Sequence, residues 1–488
     1  MSSRKKDLIF SVLTKLIVPL SGLILIPIYL KFLTQEEYGY WLVVVGVSNY
    51  MLLANMGIAQ TVSNYVAKNW WRARKHEVVA IFVSTAWTIY WFVILVIIVV
   101  ITLAQTTHFL LAERSDLFPV FLMAVCTLLA LPFQLFSVML QSVERIYEEQ
   151  ACQIIAAVTK MIIFYLLLSS GFKLLGLIAA NAVATVLPRI LSWIRLKMIF
   201  PTSSVSLKKY DKRFKPYVLQ NSIGFFVIQI ASLLAFNTDN IVIGYFLGLA
   251  KVPEFALPAQ IIMAIQTAIM TISVIYNPTI TRLYGQNDLK KLQKLILSLI
   301  FILTQAGIFI FIIIFSLGDI LLGSLSEKAI YPGQQIVFCL LTFMMIQLCV
   351  QPADSVLMAT SNHKNLSTVV IIEGILNVTL SIWWVQIWGI LGVILATLLA
   401  RVGSVIYIYV KACDVMKLSH RILAGILLTS VAPLIFIAAY SYLNTKMLLV
   451  PNGFPDLFVQ FAIFATVVFL FSRRRIGEAI LQFSGDLK

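Results

Sequence analysis

Four basic residues of this 488-residue chain, Lys15, Lys160, Arg189 and Arg401, sit inside long apolar runs rather than between them. A charge near the centre of a bilayer costs at least about 2.5–3.5 kcal/mol on insertion scales, so such a side chain turns towards water, a partner or a substrate. Lys160 lies nine residues into its run, about 13 Å deep at ~1.5 Å per residue and close to the midplane of a ~30 Å core. Arg401 is about as deep, and Arg189 nearly so, beside a kink expected at Pro188. Lys15 is shallower and within reach of the headgroups by snorkelling. Among acids, Asp239, Asp354 and Glu373 lie within or near the ends of apolar runs. Asp239 and Glu373 are candidates for binding a coupling proton or cation, with structural pairing an equal alternative; Asp354 reads as interfacial. More bases than acids at depth make an empty cavity electropositive. Such a cavity holds an anion, and the planar donor fork of Arg with the point charge of Lys suits a diphosphate better than an organic cation.

The elements that must position these residues are membrane spans. Hydrophobic residues make up 60% of the chain and charged residues 12%, with a mean hydropathy of +0.94; soluble domains carry about 25% charged residues. About fourteen apolar runs long enough to span are legible, near residues 10–33, 39–62, 79–104, 118–141, 151–170, 174–197, 217–246, 254–280, 295–317, 333–359, 366–386, 389–410, 421–442 and 456–472. The expected class is an all-α polytopic membrane protein. Pro19, Pro27, Pro132, Pro188, Pro258 and Pro352 interrupt these helices and are expected to bend them.

The chain also repeats. Tyr29 and Tyr245, Lys75 and Lys291, and Leu175-Gly176 and Leu391-Gly392 are each 216 residues apart, and Ser137-Val138 and Ser355-Val356 are 218 apart. The offset predicts two six-helix lobes of the same orientation, with a shared site between them. The expected organisation is 1–200 for the N-terminal lobe, 201–216 for a connection, 217–412 for the C-terminal lobe, and 413–488 for two further spans and a tail.

The net charge of +16 marks one side of a membrane rather than a nucleic-acid partner. With both termini cytoplasmic, 27 of the 37 lysines and arginines fall on the cytoplasmic side and only 6 on the other. Met1–Lys6 and the run after it read as a retained first span, since the run is long, contains Lys15 and has no small-residue cleavage site. The five cysteines read as packing residues. No GxxxxGK[ST] loop, HExxH or nucleophile elbow occurs, and the four histidines lack metal-ligand spacing. No cofactor, metal or enzymatic activity is expected.

IPIYLKFLTQEEYGYWLVVVGVSN (26–49) resembles the first connection of the polysaccharide-unit (O-antigen) flippases of the multidrug/oligosaccharidyl-lipid/polysaccharide (MOP) exporter superfamily. ANMGIAQTVSNYVAK (54–68), MLQSVERIYEEQ (139–150) and NTDNIVIGYFLG (237–248) resemble further segments of that family in the same order. The resemblance covers about residues 8–412. It implies two helical bundles in a V, alternating access, and an undecaprenyl-diphosphate-linked oligosaccharide turned from the cytoplasmic to the outer leaflet of a bacterial inner membrane. Membrane lipids, a polysaccharide polymerase and a chain-length regulator are the implied partners, and cationic cavity residues are expected of such proteins. Lys160, Arg189, Arg401 and Lys15 are candidates for that role by depth. Two alternatives stay open. The two extra spans resemble fourteen-span flippases of lipid-linked peptidoglycan precursor. Drug and cation antiporters share the superfamily but often carry an acid in the first span, where this chain has none after Asp7.

Overall fold

Backbone in hydrocarbon must satisfy its own hydrogen bonds, and a helix does so within one segment. A computed structural model describes residues 3–70, 76–112, 118–199, 205, 209–236, 238–325, 333–359, 363–419 and 459, and among them there is helix and no strand. The helices are α1 (Ser3–Phe32), α2 (Gln35–Tyr50), α3 (Ile58–Asn69), α4 (His76–Ala112), α5 (Phe118–Ala130), α6 (Gln134–Ser142), α7 (Ile146–Ser169), α8 (Lys173–Ile199), α9 (Lys215–Phe236), α10 (Asp239–Leu247), α11 (Val252–Ile275), α12 (Asn277–Gly285), α13 (Leu289–Leu325), α14 (Gln334–Ala359), α15 (His363–Trp388) and α16 (Ile390–Met416). Among the described residues, nine helices are long and apolar enough to cross a membrane, or ten with one bent pair counted. The first twelve expected spans each fall on one of these helices or on a broken pair. The last two, 421–442 and 456–472, lie outside the described residues.

Several spans break where the sequence carries a reason. The bent pair is α2 with α3, turned by 47°. Between them Gly57 has φ +72°, a left-handed conformation that favours glycine, and a Cβ there would meet the Ser222 carbonyl oxygen. Pro132 sits in a 3₁₀ turn, Leu131–Phe133, that separates α5 from α6. Pro188, Pro258 and Pro352 lie inside α8, α11 and α14, which continue through them.

The helices pack as two units: Met1–Ala256 with Val370–Gly389, and Leu257–Val369 with Ile390–Lys488. Polar contacts tie α9 and α10 into the first unit. The Thr61 and Ser222 hydroxyls bond at 3.0 Å, Tyr50 and Thr238 at 2.7 Å, and the Gln229 amide donates to the Leu52 carbonyl at 2.9 Å. Inside a membrane such bonds join helices because the hydrocarbon offers no competing partner. An aromatic group of Tyr65, Phe82, Phe214 and Tyr217 joins α3, α4 and the start of α9, with Tyr65 and Phe82 stacked at 3.7 Å. The connection ahead of α9 is pinned by the Asp211 N–H, which donates to the buried Thr85 hydroxyl at 3.0 Å. In the second unit, α13, α14 and α16 pack together. There the Gln293 amide donates to the Met416 carbonyl at 2.7 Å, joining α13 to the end of α16.

Candidate functional site

The first unit contains a cavity of about 310 Å³ among α2, α5, α7 and α8. Val45, Ser48, Asn49 and Leu52 line it from α2 and the turn after it, Met123 and Thr127 from α5, and Gln153 from α7. α8 adds Asn181, Ala184, Thr185, Pro188 and Arg189. Arg189 is the only formally charged residue of this lining. Asn181, Thr185 and Arg189 are four residues apart in turn, so successive turns of α8 offer one polar stripe, with Ala184 and Pro188 filling the gaps. The Pro188 carbonyl still accepts a hydrogen bond, from the buried Ser192 hydroxyl at 2.8 Å.

Arg189 forms no ion pair among the described residues, and its Nη1, shielded from solvent, has no hydrogen-bond partner. Tyr90 of α4 is within its electrostatic reach, and the buried Tyr90 hydroxyl is likewise unbonded. The neutral polar side chains of the lining are largely turned to local partners. Ser48, Thr127 and Thr185 donate to carbonyls one turn back at 2.7, 2.9 and 2.8 Å, and the Asn181 amide reaches the Met123 sulfur at 3.7 Å. Their acceptor lone pairs remain, beside a guanidinium with unused donors. The arrangement suits a group with several anionic or hydroxyl oxygens.

Lys160 is not in that lining, but its helix is. The α7–α8 hairpin turns at Gly171, and Gln153 and Arg189 are each eighteen residues from it, so the two stand level; Lys160 is level with Asn181 to within one residue. Gln153 and Lys160 are seven residues apart, two turns along the same face of α7. The Lys160 Nζ lies 5.3 Å from the centre of the buried Phe164 ring, and no carboxylate pairs with it among the described residues. A ring face attracts a cation without neutralising it.

The other sequence candidates have different surroundings. Lys15 is half-buried on α1, next to Thr14, whose hydroxyl reaches the Gln150 carbonyl of α7 at 3.4 Å. Asp239 begins α10, directly after the Thr238 that bonds Tyr50. Glu373 is 4% exposed and heads a second stripe at four-residue spacing, Glu373, Asn377 and Ser381, in which the Ser381 hydroxyl donates to Asn377 at 3.2 Å. Arg401 belongs to the second unit. It is 8% exposed, its Nη2 donates to Gln347 Oε1 of α14 at 2.8 Å, and Asp354, two turns further along α14, is within electrostatic reach.

Sequence reasoning from charge alone passed over Ser48, Asn49, Thr127, Gln153, Asn181 and Thr185. The signal for part of the set was present: polar residues at four-residue spacing before Arg189, and Gln153 seven residues before Lys160. For Ser48, Asn49 and Thr127 no spacing rule points to α8, because only packing brings α2 and α5 to it.

The chain belongs to the polysaccharide biosynthesis protein family, whose model matches residues 5–284. No curated protein matches it by sequence. Its fold is that of the MOP superfamily. It is similar to a structure described as the lipid II flippase MurJ in an inward closed conformation, at a TM-score of 0.69 and 14% identity over 95% of this chain and 98% of that one. It is also similar to an inward-facing multidrug-resistance MATE transporter of the MOP superfamily, at 0.60 and 16% identity over 84% of this chain and 99% of that one. A third similar structure is a Pyrococcus furiosus MOP transporter described as having a binding pocket of reverse polarity, at 0.55 and 13% identity, covering 85% of this chain and 96% of that one. Family and apolar helices together define a multi-pass membrane protein of polysaccharide biosynthesis, with a fold similar to that of solved transporters.

Proposed function

We propose that the protein turns undecaprenyl-diphosphate-linked oligosaccharide units from the cytoplasmic to the outer leaflet of a bacterial inner membrane for cell-surface polysaccharide synthesis. The observation that carries the reading is Arg189: a guanidinium without an acidic partner among the described residues, with a donor to spare, at the wall of a polar cavity in a protein of a polysaccharide-synthesis family. At about 310 Å³ the cavity matches the lower end of ligand sites and suits a diphosphate with the first sugar rather than a whole glycan.

The lipid tail remains in hydrocarbon throughout, so only the polar head needs a lined path. Arg189 and Lys160 replace its water and counter-ions, and the hydroxyls and amides of the lining meet the sugar. Lys15 lies on the helix packed against α7 and extends the cationic set. Arg401, in the second unit, is bonded to Gln347. Alternating exposure of the loaded site then delivers the head outwards. An inside-negative potential favours that movement by about 2.3 kcal/mol per charge per 100 mV. Asp239 and Glu373 are the candidates for a proton or cation that resets the empty carrier.

A lipid-linked peptidoglycan precursor is the second reading, favoured by the match over 95% of this chain to a structure described as a lipid II flippase. Both readings need the same anion chemistry and separate by glycan. Proteoliposomes carrying a fluorescent undecaprenyl-diphosphate oligosaccharide in one leaflet, with outer-leaflet probe destroyed by a membrane-impermeant reductant, measure turnover directly. The expected result is protein-dependent exposure of the oligosaccharide lipid and little of lipid II. Turnover of lipid II alone would replace the first reading by the second, and substrate-driven proton exchange with drug cations alone would overturn both.

A further inference from the structure

Two adjacent glutamates at the start of α7 have opposite surroundings. Glu148 is 5% exposed and bridges Arg145 and Arg195 at 3.2 Å each, with the Tyr147 hydroxyl donating to it at 2.9 Å. Glu149 is 2% exposed and forms no ion pair among the described residues. Its carboxyl is held by amides: Gln150 donates to Oε2 and Gln153 to Oε1, each at 3.0 Å. Neutral donors orient a carboxyl but leave its charge uncompensated, which in a buried setting favours binding a proton. Gln153 is at the same time part of the cavity wall that carries Arg189.

We propose that Glu149 is a proton-binding site linked through Gln153 to the Arg189 cavity, taking up a proton when an anionic headgroup occupies that cavity and releasing it when the headgroup leaves. This rests on the anion-cavity reading above. The sign follows from charge: an anion arriving near Glu149 disfavours a second negative charge there, and by linkage a protonated Glu149 strengthens anion binding by the same factor. The proton passes between the carboxylate oxygen and water at this end of α7, so the step is a linkage and not a transport stoichiometry. Among the described side chains, the other charged or titratable groups near Glu149 are Tyr147, Glu148 and Cys152 on its own helix, Arg195 on α8, Arg145 at the turn from α6, and Lys15 on α1. Both arginines are engaged by Glu148, and Lys15 is beyond ion-pair distance of Glu149.

The test uses the full chain in lipid nanodiscs, titrated with farnesyl diphosphate by calorimetry in two buffers of different ionisation enthalpy, which counts protons taken up on binding. Subtracting the count for Glu149→Gln removes the ligand's own titration. The wild type should take up more protons than the variant, by a difference approaching about one. Its affinity should fall relative to the variant by up to about tenfold per unit of rising pH, and a protonated-carboxyl infrared band should appear on binding in the wild type alone. Equal proton counts with no such band would overturn the linkage. Gln153→Met keeps Glu149 and cuts the bridge, so a reduced proton count in that variant supports the proposal even if Glu149→Gln does not fold; an unchanged count overturns the route through Gln153. Arg189→Ala separates the two levels. Binding as tight as wild type there would overturn the anion cavity itself, whereas lost binding with equal wild-type and Glu149→Gln proton counts would remove only the linkage.

Discussion

Arg189 and Arg401 are alike in the sequence and unlike in the structure. Each is an arginine deep in an apolar run, and each stands on a long helix rich in small and branched residues. Arg189 in the first unit faces a polar cavity with no ion pair among the described residues and Nη1 unbonded. Arg401 in the second has an unbonded Nε of its own, but its Nη2 is anchored to Gln347 and Asp354 stands within reach. A buried arginine with partners supports its own fold, because removing it strands the groups that bond it. One without partners keeps its donors for something that arrives. Depth therefore identifies residues that need an explanation, and their partners decide which explanation applies.

The comparison breaks most readily at Arg189. Replacing it with Ala should lower headgroup turnover in proteoliposomes by about 10²-fold, equivalent to roughly 2.7 kcal/mol for a lost charge-assisted contact, with little change in thermal stability. Lys at 189 should recover part of the rate, since it keeps the charge and loses the fork. A large fall in Tm without a rate effect would make Arg189 structural as well.

Arg401→Ala should show the reverse emphasis, a loss of about 1–3 kcal/mol in stability from the stranded Gln347 amide, read as a lower unfolding temperature in detergent. Pairing it with Gln347→Leu sharpens the point. The double variant should be more stable than the sum of the single losses predicts, by about 1 kcal/mol if the two side chains act as a pair.

Lys160→Met should have an intermediate effect, a turnover loss of about tenfold with stability changed by about 0.5 kcal/mol or less, because only the contact with the Phe164 ring is removed. The smallest effect belongs to Asp211, outside the membrane, whose carboxyl is held below its ordinary range by the Arg213 side chain and backbone N–H. A lowered carboxyl contributes stability above its unfolded pKa and loses it as pH falls through the folded one. Its partner Arg213 is solvent-exposed, so Asp211→Asn should leave turnover unchanged at neutral pH and remove only a slight acid sensitivity of unfolding, checked by thermal melts across acidic pH.

Much of the helical plan was legible because a bilayer imposes it. Twelve of the expected runs coincide with helices or broken pairs, and the 3₁₀ turn falls at Pro132. The break at Gly57 was not anticipated, since nothing local separates a glycine that ends a helix from one that packs inside it. Its reason lies 165 residues away, in the Ser222 carbonyl over its α carbon. The cavity was half legible. Arg189 stood out by charge, whereas Ser48, Asn49 and Thr127 looked like ordinary polar residues of membrane helices. Glu149 was hidden for a related reason: beside Glu148 it reads as half of an interfacial acidic pair, and only the separate bonding of the two carboxyls distinguishes them.

By itself the sequence determined where the chain enters and leaves hydrocarbon and which polar side chains are carried in with it, since both follow from transfer energies summed over neighbours along one segment. Which of those polar groups meet each other was decided by tertiary structure alone, because that depends on distances between helices far apart in the chain. Gln347 reaching Arg401, and no acid among the described residues reaching Arg189, are facts of that second kind, and the functional reading depends on them.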